Sequence, residues 1–349
     1  MNTVEAFLTK HWQRLPLDTF STPPRLSSVV ITPRFRASAH VLFFVLAAGK
    51  TEPLLVVKVP RLPGDHSRLD REAANLRQVQ AARSGGFESI PRVVAYEDYG
   101  DSRLLIETAL DGQTMDPTLV RRQPQACISA GLTWLIDLHQ ATISHPADAG
   151  QRLQDLVEDD LAHFEGVFPL CAEEKHLIEQ THMMLAPLYT AVVPLVFEHG
   201  DFSAPNILKP ARGGLAVVDW ELAEPQGIPA VDLFFFLAYT AFAQQRARKL
   251  KDYLAAFRQA FFGTTAWTRP YIAQYAHSLH LPPEVLKPLF VLCWSRYMIN
   301  LVMRLNDLPA HQGQVDHATA TWLRSNRYYA LWRYTLEHVG DLNIGAGDM

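Results

Sequence analysis

The sequence predicts an α+β chain of two lobes, a small antiparallel β-sheet with one helix followed by a larger helical lobe. Three observations carry this. Short β-branched and apolar runs separated by turn residues crowd the first 110 residues, apolar positions at helical spacing dominate after Gly112, and one strand-turn-strand interrupts the helical part. With 349 residues the chain holds one large domain or two ordinary ones, and the predicted boundary falls between 1–110 and 111–349.

The chain opens Met1-Asn2-Thr3-Val4-Glu5-Ala6-Phe7-Leu8, then Lys10, His11 and Trp12. That is a short amphipathic helix and not the basic-then-apolar pattern of a secretory leader. Val29–Ile31 and Val41–Leu46 read as two strands joined by a tight connection, and Leu54–Val59 as a third after a turn containing Gly49. Ser67 and Asp70 have the spacing of a capping box, opening a helix that carries Leu69, Ala73 and Leu76 on one face. Pro91–Glu97 and Arg103–Thr108 read as two further strands.

Beyond Gly112, helices are expected at Gly131–Gln140, Glu173–Thr190, Asp232–Phe262 with room for a break, Pro283–Leu305 and His317–Val339. The interrupting hairpin is Asn206–Lys209 and Leu215–Val218, around Pro210-Ala211-Arg212-Gly213-Gly214. No internal repeat or low-complexity segment stands out.

Composition narrows the function. A formal net charge of −4 leaves no basic excess to neutralise phosphates, which argues against a nucleic-acid binder. Cys127, Cys171 and Cys293 form no CxxC pair and no metal spacing, as expected for a reducing compartment. The apolar stretch Val231–Phe242 contains Asp232 and is too short to span a bilayer. The expectation is a soluble, cytoplasmic protein that partners neither nucleic acid nor membrane. His139, His163 and His176 sit singly in helical segments without an HExxH-type pair, and no G-x-S-x-G nucleophile elbow occurs.

The richest segment is His199-Gly200-Asp201-Phe202-Ser203-Ala204-Pro205-Asn206-Ile207-Leu208, followed by Val217-Val218-Asp219-Trp220-Glu221. A turn centred on the Arg212–Gly213 bond sets Asn206 beside Asp219 at the open end of the hairpin. Asp201 lies five residues upstream, in the loop entering that end. Two carboxylates and an amide oxygen then converge, and hard oxygen donors suit magnesium. Phosphoryl transfer asks for this set: an amide and a carboxylate for the metal, and a carboxylate to accept the proton of the attacking hydroxyl. Taken singly, Asp201 and Asn206 also read as turn formers and Asp219 as a strand-end acid. It is the full spacing that points to chemistry.

That segment resembles the catalytic core of the aminoglycoside phosphotransferase and choline kinase family, relatives of protein kinases. Asp219-Trp220-Glu221-Leu222-Ala223, Gly227, Pro229 and Asp232-Leu233 are similar to the family's usual continuation. The resemblance covers roughly residues 25–245 and implies a protein-kinase-like fold. It implies Asp201 as catalytic base, Asn206 and Asp219 as magnesium ligands, and His199 and Asp232 as braces of the catalytic loop. Asp232 also reads as a helix N-cap.

The sheet lobe adds to this. Lys58 lies in an apolar strand and Glu72 beside the apolar face of its helix, where each charge is costly without a partner. Pairing them removes both oddities and gives the kinase arrangement of a strand lysine held by a helix glutamate. As single residues they also read as an edge-strand charge and a solvated helix position. Leu104–Gly112 resembles the linker between lobes, where backbone groups from Glu107 to Ala109 would read the adenine. The segment Pro33-Arg34-Phe35-Arg36-Ala37-Ser38-Ala39-His40 lacks the glycines of a kinase phosphate loop, although Ala37, Ser38 and Ala39 are small enough for close approach to phosphate. Position 203 is serine where the family commonly has histidine.

The expected function is an ATP-dependent kinase, with GTP as the alternative nucleotide and Mg²⁺ as metal, acting on a hydroxylated small molecule. A sugar, an amino alcohol or an aminoglycoside-like compound would serve as acceptor. The rival is a nucleotide-binding module of the same fold without turnover. A protein substrate is disfavoured because Gly227 and Pro229 lead straight into a helix. The acids Asp159, Asp160, Asp307 and Asp316 are scattered without a pattern that names the acceptor.

Overall fold

The computed structural model describes residues 2–17, 24–32, 40–62, 64–306 and 313–345. The chain divides into two compact units, one formed by Met1–Thr114 with Asn206–Pro225 and the other by Met115–Pro205 with Gln226–Met349.

The first unit opens with helix α1 (Thr3–His11), capped by the Asn2 side chain on the Glu5 amide. Strands β1 (Leu26–Ile31), β2 (His40–Ala47) and β3 (Leu55–Pro60) follow, then α2 (Ser67–Ala81), β4 (Val93–Tyr99) and β5 (Ser102–Thr108). The five strands form one antiparallel sheet in the order β1-β2-β3-β5-β4. Period-2 alternation sorts its two faces. Leu55 and Val57 of β3, with Leu104 and Ile106 of β5, pack against Val4, Phe7, Leu8 and Trp12 from the N-terminal segment. On the opposite face Leu105 packs with Leu69 and Ala73 of α2. Lys58, which pairs with Leu105 across the ladder, therefore emerges on the helix side.

Helix α2 forms where predicted, but not through a capping box. Its N-cap is His66 without a side-chain cap bond. The Ser67 hydroxyl bonds instead to Asp65, and Asp70 accepts from Tyr96 at 2.6 Å and Arg103 at 3.1 Å. Short strand β6 (Gln113–Thr114) pairs with β8 (Ile207–Lys209), which pairs in turn with β9 (Ala216–Val217). This pairing joins the later hairpin to the first unit.

The second unit is helical: α3 (Pro117–Arg122), α4 (Pro124–Thr142), α5 (Ala149–Val167), α6 (Ala172–Leu185), α7 (Val231–Gln244), α8 (Leu250–Phe261), α9 (Arg269–Ser278), α10 (Pro283–Asn306), α11 (His317–Arg324) and α12 (Arg327–Glu337). Strand β7 (Val196–Glu198) lies within it, and β10 (Glu224–Gly227) begins just before its second segment. Helix α7 is apolar all round and buried along nearly its whole length, as a central helix must be. Gly131 of α4 permits the close packing of Phe236, since a Cβ there would come within 2.3 Å of the ring. Helix α10 is long and apolar enough to cross a membrane by composition, and 78% of its most apolar window is buried within the folded chain.

The expected helix over His317–Val339 is two helices. Asp316 caps α11 through the amides of Ala318 and Thr319, and Asn326 caps α12 through that of Tyr328. The break allowed for in Asp232–Phe262 falls between α7 and α8, where Arg246 takes a left-handed φ of 53°. No cysteine forms a disulfide; Cys127 and Cys293 are buried and Cys171 is exposed.

Candidate active site

In the sheet unit, a buried lysine is ringed by acids. Lys58 is 4% exposed, Glu72 0% and Glu107 2%. The ammonium pairs directly with Glu72 Oε1, lies 3.6 Å from Glu107 Oε1 and 3.7 Å from Asp219 Oδ1. Strand alternation puts Lys58 and Glu107 on the α2 face, and the helical repeat puts Glu72 one turn after Leu69 on the buried side of α2.

Helix α2 also grips the chain beyond β9. Glu72 Oε1 accepts the Trp220 amide at 3.0 Å, and the Asn75 side chain donates to the carbonyls of Trp220 and Ala223 at 3.0 and 2.9 Å. Between them Asp219 adopts φ 70°, a left-handed conformation that aspartate tolerates better than most residues and that turns the chain out of β9.

Burial pulls the Lys58 pKa down, but the carboxylates of Glu107, Glu72 and Asp219 outweigh it and hold the group above its ordinary value. Burial raises Glu72 against the pull of Lys58, and burial with the neighbouring acids raises Glu107 in the same way. One ammonium faces three acids, and the crowding that pushes Glu72 and Glu107 toward their protonated forms is what a bound cation would relieve.

Ligand atoms of His40, Glu72 and Asp219 lie within 4.8 Å of one another, and Glu72 Oε2 is buried without a hydrogen-bond partner among the described residues. The two carboxylates suit a hard divalent cation such as magnesium, while the His40 imidazole is the donor least suited to it. His40 also faces Glu221 at 3.6 Å, and Arg68 lies 3.7 Å from the same carboxylate.

Asn206 is 4% exposed. The hairpin pairs Ile207 with Val217 and Leu208 with Ala216, so its turn centres on Arg212. Asn206 accordingly lies opposite Val218, whose amide it accepts at 3.0 Å, one residue from the predicted register. Gly213 and Gly214, both at positive φ, accommodate that shift. Glu107 was read for its backbone, yet its side chain turns into the Lys58 cluster. Ala109 donates its amide to the Leu54 carbonyl at 3.4 Å. Ser38, Arg34 and Arg36 lie outside the described residues.

The cluster yields a test. Lys58→Ala or Glu72→Ala should each weaken nucleotide binding, and the double variant should lose far less than the sum of the two. Additive losses, read by calorimetric titration with ATP, would show that the pair does not act as one unit.

In the helical unit, the segment after β7 is fixed from behind. Asp232, wholly buried, accepts the amides of His199 at 2.6 Å and Gly200 at 3.0 Å. It is not the N-cap of α7. That position is Ala230, at a left-handed φ of 67°, which leaves the Asp232 carboxylate for the loop. The Ala230 amide donates to Tyr275 Oη at 2.9 Å, and the same hydroxyl is hydrogen-bonded to His139 Nδ1 at 2.6 Å. Burial pulls the His139 pKa down to about 3, so the ring stays neutral. Burial and the Glu198 charge raise the Asp232 pKa, while the two amides oppose them.

Glu198 is held by Arg296 at 2.8 Å and accepts the Ile228 amide at 3.0 Å, and Arg296 also reaches Asp160 at 3.2 Å. Phe202 is stacked on Trp134 with centroids 5.1 Å apart and meets Phe236 at 5.2 Å. Asp201, half-buried, donates its amide to His199 Nδ1 at 3.3 Å and accepts the Ser203 amide at 2.9 Å.

The Glu198–Arg296–Asp160 group and the Tyr275–His139 relay were not foreseen. A signal for the first existed, since Arg296 is a charge inside an apolar helix, as Lys58 is in an apolar strand. Of the scattered acids, Asp160 binds Arg296, Asp316 caps α11 and Asp307 lies outside the described residues.

The model of the phosphotransferase enzyme family (APH) matches residues 36–271, well over half of the chain. The chain belongs to this family. Among solved structures, this phosphotransferase is similar to choline kinase LicA from Streptococcus pneumoniae, with 12% identity, a TM-score of 0.55, and coverage of 96% of this chain and 99% of that one. It is likewise similar to a putative fructosamine-3-kinase from Haemophilus somnus, with 12% identity, a TM-score of 0.53, and coverage of 97% and 96%. At such identity the likeness is one of fold, and that fold is protein-kinase-like. No curated protein sequence matches significantly.

Proposed function

We propose that this phosphotransferase is a kinase that moves the γ-phosphoryl group of ATP to a hydroxyl of a small molecule, with GTP as the alternative donor. The observation that carries the reading is the buried Lys58 among Glu72, Glu107 and Asp219. A structural ion pair needs one carboxylate, and here three acids face one ammonium in a site that nucleotide phosphates and a divalent cation would complete.

In this reading Lys58 holds the phosphates and Glu72 orients Lys58. Asp219 and Asn206 would hold magnesium, which when bound neutralises charge developing on the transferred group. The backbone near Glu107 and Ala109 receives the base. The acceptor oxygen bonds to the γ-phosphorus as its bond to the leaving nucleoside diphosphate breaks, and Asp201 takes the hydroxyl proton. Asp232 holds the His199 and Gly200 amides and so positions Asp201 without touching substrate. We place this chemistry in the cytoplasm.

Two solved structures of similar fold are a choline kinase and a putative fructosamine-3-kinase, which supports a small-molecule acceptor. Thermal unfolding decides the first step. ATP with magnesium should raise the midpoint, since a ligand at a hundred times its Kd stabilises by about 2.7 kcal/mol. No shift with millimolar ATP or GTP would sink both the kinase and a nucleotide-binding module without turnover.

A further inference from the structure

The helical unit contains a cavity of about 510 Å³ whose charged lining is of one sign. Arg121 of α3, Arg246 and Arg248 between α7 and α8, and Arg327 at the start of α12 line it together with Ser203, two residues after Asp201, and no aspartate or glutamate among the described residues does. Four guanidinium groups around one cavity repel each other and any ammonium that enters, unless an anion joins them.

The arginines are not consumed by structural ion pairs. Elsewhere in this unit Arg152, Arg296, Arg324 and Arg333 each bind a carboxylate. None of the four cavity arginines has such a pair among the described residues. Arg121 donates to the Thr118 hydroxyl at 3.1 Å. Arg327 donates to the Tyr328 hydroxyl at 2.8 Å and lies over the Tyr253 ring at 5.3 Å, contacts that steady a guanidinium without neutralising it.

Arg246 adds a second, independent observation. It occupies the position after the C-cap of α7, with its amide bonded to the Ala243 carbonyl and the next amide to that of Phe242. This helix ending favours glycine, because φ is positive there. The sequence instead places an arginine at φ 53°, accepting backbone strain at the cavity rim.

We propose that the hydroxyl acceptor carries an anionic group, a phosphate monoester or a carboxylate, bound by these arginines. This inference rests on the phosphotransferase reading above and narrows it, since choline-like and aminoglycoside-like cations would be excluded. Guanidinium forks match the oxygens of either anion.

Matched acceptors that differ in charge provide the test: glucose 6-phosphate against glucose, glycerate against glycerol, and choline and kanamycin as cations. Each is titrated calorimetrically into nucleotide-free protein, with inorganic phosphate alongside, and then assayed for ADP release with ATP and magnesium. Binding should be confined to anions, weaken with salt, and fall about tenfold or more in Arg246→Ala and Arg248→Ala, the loss expected for one charge-assisted hydrogen bond. The phosphate and carboxylate arms separate the two anion types.

Several results would overturn the proposal: absence of binding by every anion, equal or better turnover of a neutral or cationic member, or anion binding unchanged in both arginine variants. Thermal stabilisation by ATP and magnesium is read on the same samples. Its loss would strike the kinase reading itself, whereas its presence beside a cationic acceptor would strike only the anionic one.

Discussion

Asp201→Asn is expected to lower turnover by ~10²–10⁴-fold, the worth of a positioned general base, while the protein still binds ATP and magnesium. The substitution is close to isosteric and removes the negative charge and with it the capacity to take a proton. The backbone bonds around it use main-chain atoms of residue 201, the amide to His199 Nδ1 and the carbonyl to the Ser203 amide, so the loop keeps its form. Single-turnover ADP release with a true acceptor, beside thermal shifts with nucleotide, separates the two effects. Equal rates in wild type and variant would show that Asp201 is not the base. If neither protein turns over any acceptor while both bind ATP, the module without turnover becomes the better account.

Asp219→Ala should remove the magnesium dependence of nucleotide binding and bring turnover to background. Its carboxylate is one of the three around Lys58, and its removal takes away an oxygen proposed to hold magnesium while leaving Lys58 paired with Glu72 and Glu107. The lysine therefore stays charged and placed for phosphate, and weak binding of ATP without metal should persist. Titrating magnesium at fixed ATP reads this as a flat response where wild type shows a rise. A variant that keeps the wild-type response would move the metal to other ligands, with Glu72 and His40 next in line.

What the sequence disclosed depended on how local each signal was. Lys58 and Glu72 stood out because a charge in an apolar strand and one on an apolar helix face each demand a partner, and the structure pairs them. The hairpin after Asp201 was legible from its glycines, though its register was off by one because two successive left-handed residues moved the turn centre to Arg212. Helix α5 was given no bounds, only His163 being placed in a helical segment, although Leu153, Val157, Leu161 and Phe164 carry its period.

The Ser67–Asp70 capping box failed for a physical reason. Tyr96 and Arg103 claim Asp70 from across the sheet, and no spacing along α2 could announce that competition. Distance along the chain hid the rest: Glu198 and Arg296 are 98 residues apart, and His139 and Tyr275 are 136 apart. The arginine cavity belongs to the same class. Its four charges come from three separate stretches of sequence and gain meaning only when folding gathers them.

The bonds from α2 to the segment after β9 make that segment part of the helix in a thermodynamic sense. Glu72 holds the Trp220 amide and Asn75 holds two carbonyls of the same stretch. Any fluctuation that lifts α2 from the sheet must expose the Trp220 amide, separate Lys58 from Glu72 and release Asp219 in one event. The three groups thus share a single opening free energy, and they form one cooperative unit that a helix on the surface could lock or loosen as a whole.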